Sequence, residues 1–277
     1  MKKHLTPLRY PGGKSKLYLF ITKLIENNFS FKPVYVEAFA GGAGLAFQLL
    51  FNEKVSEIYL NDLDENIYAF WASVLYETNA LISLIEKTEV NVETWRQQKA
   101  IYKDNSCNKT TLQKGFATFF LNRTNRSGIL SAGPMGGYEQ KGNYKIDSRF
   151  NKPPLIALIR QIASFKDKIF LSNLDAKEFI ASVDAQKDNL LFYLDSPYFL
   201  KGANLYPHFF KEQNHIELFE VLNKLRNKWL LTYDDHEFIH SLYHDYNPSF
   251  FDLNYSVQTK RVAQEILIFS HNFIKKF

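Results

Sequence analysis

The stretch Val36–Leu50, "VEAFAGGAGLAFQLL", reads as a buried strand, a glycine-rich turn and a helix in immediate succession. Gly41, Gly42 and Gly44 let the backbone turn tightly and come close to a ligand. The helix start adds unpaired N–H groups and a partial positive charge, a place for a carboxylate or phosphate. No Gly-Lys-Ser/Thr follows, so the stretch does not fit a Walker A loop. Taken alone, it serves equally well as a tight βα turn with no ligand.

Support comes from the next strand. "YLNDLDEN" (59–66) ends it on Asp62, about 20 residues beyond the glycines, where an acid can accept both hydroxyls of a ribose. The pair suggests an adenosine-containing cofactor. Asp64 and Glu65 have a simpler reading as acids at a helix start.

Working outward, apolar runs of strand length recur: "VYVEAF" (34–39), "SEIYLND" (56–62), "KIFLSN" (168–173), "NLLFYLD" (189–195) and "KWLLTYD" (228–234). Stretches of helical period separate them. This alternation predicts an α/β fold with a mostly parallel sheet covered on both faces. Near the C-terminal end, "SFFDLNYSV" and "RVAQEILIFS" flank a polar turn and predict a hairpin, giving the sheet an antiparallel edge. Between residues 63 and 164 the alternation stops. Four helical stretches end at "KGFATFFLNR", and a Gly-, Asn- and Arg/Lys-rich segment without helical period follows. The expected organisation is a catalytic domain of residues 1–62 and 165–277, with 63–164 as an inserted, mostly helical subdomain carrying a basic loop or β-hairpin.

"FYLDSPYF" (192–199) places an acid, a turn and two rings at the end of a strand. Ligands of open α/β sheets bind at that edge. Asp195 is an acceptor, and Pro197 restricts Ser196 to extended conformations, which sets the direction of the Ser196 carbonyl. Tyr198 offers a flat face. Two acceptors and a stacking platform suit the amino group of a planar heterocycle; the alternative is an acid capping a turn beside core aromatics. "RYPGGK" (9–14) is either a turn with a solvated lysine or a site that sets Lys14 by the anionic end of a ligand and Tyr10 by its apolar part.

The formal charge of +5 and pI near 9.0 give a modest bias toward polyanions. Cys107 is the one cysteine, so no intrachain disulfide forms. Together with the absence of a signal-peptide pattern and of any apolar run of membrane-spanning length, this leads us to expect a cytoplasmic protein without a membrane partner. No His/Cys cluster has metal-ligand spacing, so no metal is expected.

The ordered set "RYPGGK", "VEAFAGGAGLAF", "NDLDEN", "FLNRTNRSG", "DSPY" and "RVAQEILIFS" resembles the Dam-like, D12-class DNA adenine-N6 methyltransferases over nearly the whole chain. The resemblance implies a seven-stranded Rossmann-like sheet with a C-terminal hairpin and a target-recognition insert. It implies a bacterial or phage enzyme, S-adenosyl-L-methionine as co-substrate and double-stranded DNA as partner. By the same resemblance, the adenine is flipped from the duplex and its amino group is held by Asp195 and the Ser196 carbonyl, with Pro197 and Tyr198 completing the motif. The cofactor falls to Tyr10, Lys14, Phe39, Gly41, Asp62, Asp175 and Asp195. DNA falls to Arg123, Asn125, Arg126, Lys141, Lys145 and Arg149 of the insert. A monomer and a cognate restriction endonuclease are further expectations. Ser196 departs from the family's proline; the change keeps the carbonyl but gives up rigidity. An inactive nucleic-acid-binding relative and an RNA or cytosine-N4 methyltransferase are the rival readings.

Overall fold

Seven strands run in the order β3-β2-β1-β4-β5-β7-β6. They are β1 (Val34–Glu37), β2 (Glu57–Asn61), β3 (Ile169–Ser172), β4 (Leu190–Asp195), β5 (Lys228–Asp234), β6 (Ser249–Leu253) and β7 (Ala263–Phe269). The computed structural model describes residues 5–9, 17–104, 106, 108–199, 210–253 and 263–274. β1 to β5 pair in parallel, and β7 runs antiparallel to both β5 and β6. The predicted hairpin is therefore present, but its antiparallel strand lies one in from the edge. Burial explains the order. Ile266, Leu267, Ile268 and Phe269 of β7 are all buried, as a strand with neighbours on both sides requires, whereas Phe250 of β6 is exposed.

Alternation along the strands sorts side chains to two faces. Leu190, Phe192 and Leu194 of β4 pack in one core with Trp229, Leu231 and Tyr233 of β5. That core is covered by α8 (Ala176–Gln186), α9 (Glu212–Leu222) and α10 (Glu237–Leu242). Leu191 and Tyr193 face the opposite way, toward α1 (Tyr18–Asn28) and α2 (Gly44–Phe51).

The second core extends into residues 63–164. It includes Phe70 and Trp71 of α3 (Glu65–Tyr76), Leu81 and Ile85 of α4 (Thr78–Lys87), and Trp95 of α5 (Val92–Lys103). Phe119 and Phe120 of α6 (Thr111–Thr124) and Ile159 of α7 (Lys152–Ala163) belong to it too. Close approach of α6 to α3 depends on Gly115, because a Cβ there would lie 2.4 Å from the Ala69 carbonyl oxygen. Between α6 and α7 the chain forms a single 3₁₀ turn (Arg126–Gly128) and an isolated bridge, Asn125 to Pro134. It is a loop and not a hairpin. Among the described residues, no helix is long and apolar enough to cross a membrane.

Candidate active site at the carboxyl edge of the sheet

The strand order reverses between β1 and β4, and the carboxyl ends of strands at such a reversal are where open α/β sheets bind ligands. On the β1 side, Gly41 takes φ +45° and Ala43 takes φ +46°, so the turn coils tightly before α2 begins. Gly41 N–H donates to Asp62 Oδ2 at 2.8 Å, and Asp64 N–H donates to Asp62 Oδ1 at 3.0 Å. The indole N–H of Trp71 donates to the Gly41 carbonyl. Asp62 thus ties the two turns while each carboxylate oxygen keeps further accepting capacity. Burial pushes its pKa up to about 6, against the pull of those two N–H groups.

Asn61, fully buried, extends the tie to β3. Its Nδ2 donates to the Ala38 and Leu174 carbonyls, and its Oδ1 accepts from Leu174 N–H. Asn173 Nδ2 reaches the Asp62 carbonyl at 2.7 Å. Asp175 follows as the N-cap of α8, accepting from Lys177 N–H, with Lys177 Nζ 4.0 Å away. Phe39 packs edge-on to Phe210 with ring centres 5.7 Å apart. Gly41, Asp62 and the turn preceding Asp175 are therefore joined in one hydrogen-bonded unit.

The β4 side is held by β5 and β7. Asp195 pairs in register with Thr232, whose Oγ1 donates to Asp195 Oδ1 at 3.0 Å. Ser196 is buried beside Tyr233. Phe199 N–H donates to Asp234 Oδ1 at 2.9 Å. The Tyr198 hydroxyl donates to buried Glu265 of β7 at 2.5 Å. Half-buried Pro197 lies between these anchored residues.

Glu37 lies between the two halves. It accepts from the Tyr35 hydroxyl at 2.9 Å and from the N–H of Ala46 in the first turn of α2. Burial raises its pKa to about 8, with the nearby Asp195 charge adding to the rise. The helix start that the sequence offers to a ligand anion is therefore met in part by the protein's own carboxyl group.

Tyr10 and Lys14 lie outside the described residues. Their neighbour Arg9 docks on the insert: Asn122 accepts from Arg9 N–H at 2.6 Å and donates to its carbonyl at 2.9 Å. Gly128, at φ +77°, lies so close that a Cβ would be 2.5 Å from the Arg9 carbonyl oxygen. Arg123 donates to the Arg149 carbonyl and to the Pro7 carbonyl. Burial, then repulsion from Arg9 and Arg149, lowers the Arg123 pKa to about 10. None of these three arginines forms an ion pair among the described residues.

The other insert residues divide. Arg126 is exposed. Lys141 pairs with Glu139, and Lys145 Nζ donates to the Gln140 carbonyl. Asn125 is fully buried, accepting from the Trp95 indole and donating to the Ile129 and Leu130 carbonyls. Its amide shapes the loop from within.

A profile of the D12 class N6 adenine-specific DNA methyltransferases matches residues 10–261. The chain belongs to this family. Among solved structures, the rRNA methyltransferase aviRa from Streptomyces viridochromogenes aligns with 95% of this chain and 87% of its own, at 10% identity and a TM-score of 0.39. No curated protein matches.

In this adenine-specific methyltransferase, several residues of the candidate site carry little local signal in the sequence. Glu37 stands inside the quoted glycine stretch, but the run "VYVEAF" reads as plain strand. Thr232, Tyr233 and Asp234 end an apolar run, and only the pairing register of β5 with β4 brings them to "DSPYF". The acid in "RVAQEILIFS" was a legible signal for Glu265, since a charge within a buried strand needs a partner.

Proposed function

We propose that this chain transfers a methyl group from S-adenosyl-L-methionine to adenine N6 in double-stranded DNA, acting on a base flipped out of the duplex. The observation that carries the reading is the anchoring of Asp195–Phe199: consecutive residues of β5 meet this segment beside a glycine turn closed by Asp62. The donor set fits the cofactor. Asp62 has accepting capacity left for ribose hydroxyls, and Gly41 allows close backbone approach. Phe39 and Asp175 flank that turn, with Tyr10 and Lys14 assigned to the methionine part by the family motif. Bound there, S-adenosylmethionine supplies the methyl group.

The protein's part is orientation and electrostatics. The adenine amino nitrogen is a weak nucleophile because its lone pair is delocalised into the ring. Asp195 and the Ser196 carbonyl each accept one of its N–H bonds, which localises the lone pair and offsets positive charge developing on nitrogen. Tyr198, held through its hydroxyl, stacks on the flipped base. Flipping costs a few kcal/mol of stacking and pairing. The unpaired arginines Arg9, Arg123 and Arg149 meet the phosphates, with Arg126 exposed for a base edge and Lys141 and Lys145 as weaker phosphate contacts.

Long-read sequencing of DNA from cells expressing the protein tests the reaction, and N6-methyladenine at a defined site is expected. Asp195→Ala should lower methyl transfer by about 10²–10³-fold while gel shifts show DNA binding retained. An unmethylated genome, or activity of the variant within a few-fold of the unaltered protein, overturns the reading or the role of Asp195 respectively.

A further inference from the structure

The Ser196 side chain, which replaces a proline ring, has its own surroundings. The residue is 2% exposed. Its Oγ is buried with no hydrogen-bond partner among the described residues, and the β4–β5 register, which ends on the Asp195–Thr232 pair, brings Tyr233 beside it. Tyr233 Oη in turn lies 2.7 Å from His215 Nδ1. Tyr233 and His215 are both fully buried, one on β5 and the other on α9.

The His215 ring is enclosed by Phe199, Phe210, Tyr233 and Phe238, with centroid distances of 5.3, 5.3, 5.4 and 6.4 Å. Burial lowers its pKa to about 4, against the pull of the nearby Asp234 charge, so the ring is neutral at pH 7. A neutral imidazole offers one acceptor nitrogen. With Nδ1 as that acceptor, Tyr233 donates to His215 and its oxygen remains free to accept from Ser196. Nε2, buried without a partner among the described residues, then carries the ring proton.

We propose that Tyr233 and His215 are positioning residues: the chain Ser196–Tyr233–His215 fixes the backbone of Ser196 and so replaces the rigidity a proline would supply there. The inference rests on the proposed role of the Ser196 carbonyl as acceptor of the base amino group. Tyr233 and His215 touch neither substrate nor cofactor in this scheme. They act through Ser196, and the same β5 strand holds Asp195 and Phe199 on either side.

The test is a double-mutant cycle of Tyr233→Phe and Ser196→Pro. Tyr233→Phe keeps the ring that fills the core and removes only the hydroxyl. It should lower kcat roughly three- to tenfold, the worth of one hydrogen bond, with KM for DNA little changed. In the Ser196→Pro background, whatever that background's own rate, the same substitution should cost less than about twofold, because a ring now restricts the backbone. Hydrogen exchange on the ligand-free protein gives a second readout. The Phe199 amide, bonded to Asp234, should exchange faster in Tyr233→Phe and regain protection when Ser196→Pro is added. Tyr233→Phe without effect on kcat and exchange, or with the same effect in both backgrounds, overturns the proposal. If the unaltered protein methylates no DNA, the functional reading fails, and exchange still decides whether the chain holds the turn.

Discussion

At the carboxyl edge of the sheet, Thr232, Tyr233 and Asp234 meet Asp195, Ser196 and Phe199; the strand register sets the first contact and leads straight into the other two. Between Asn125 and Asn151 an isolated bridge replaces any strand register, and side-chain amides of this loop and of the helix before it, buried or half-buried, hold the backbone. Asn122 clamps Arg9, Asn125 spans Trp95 and two carbonyls, and Gln140 bonds Met135, Gly137 and Ile146. The edge is thus a place where groups can be fixed for chemistry. The loop is a shaped surface whose charged tips stay exposed or unpaired. The difference suits a reaction centre and a polyanion-facing surface respectively.

The largest expected effect tests the loop half. Arg9, Arg123 and Arg149 repel one another with no acid paired to them among the described residues, and in the proposed function a phosphate relieves that repulsion. Replacing all three by Ala should lower the slope of log affinity against log salt by about three, one per phosphate contact. Circular dichroism must stay unchanged, since Arg123 also bonds the Arg149 and Pro7 carbonyls. An unaltered slope in a folded variant would take the arginines out of the DNA interface.

On the edge half, Asp62 should bind ribose only as a carboxylate. Its pKa near 6 means that affinity for S-adenosylmethionine falls as pH drops through about 6, where the acceptor gains a proton. Asp62→Asn should weaken binding roughly ten- to hundredfold at pH 8 and flatten the pH dependence. Calorimetry giving equal affinities at pH 8 would move the ribose elsewhere.

Asn125 separates the two modes of support more finely. Asn125→Ala leaves the Trp95 indole and the Ile129 and Leu130 carbonyls without their partner, which should cost about 1–3 kcal/mol of stability. Urea unfolding measures this. A stable variant with weakened DNA binding would instead make Asn125 a direct contact.

These residues also mark what the sequence could disclose. Apolar runs of strand length set out the five parallel strands, and the acids that end two of them are Asp62 and Asp195, because a buried strand and a polar tip are local patterns. Asn125 reads in sequence as one more polar residue in a basic loop. Its burial depends on Trp95, 30 positions earlier. Thr232 and Tyr233 come to the candidate site only when β5 takes its place beside β4. Side chains that act on a neighbouring strand carry no signature within their own segment.

Glu37 offers the smallest effect and bears on how the two halves of the edge meet. Its folded pKa of about 8 stands above the ordinary 4.5, chiefly through burial. Between those values the folded chain keeps a proton that the unfolded chain has released, so this group lowers stability progressively as pH rises from about 4.5 to 8 and by a constant amount beyond. Glu37→Gln has the shape of the protonated acid: its oxygen can accept from Ala46 N–H while its amide donates to the Tyr35 oxygen. The substitution should be nearly neutral at pH 5 and stabilising by about 1–3 kcal/mol at pH 9, read as a difference in Tm that opens with pH. The same change removes a group whose charge above pH 8 would repel Asp195. A Tm difference independent of pH would mean that Glu37 stays ionised in the fold. The glycine turn and the Asp195 segment would then face each other across a charge and not across a neutral hydrogen bond.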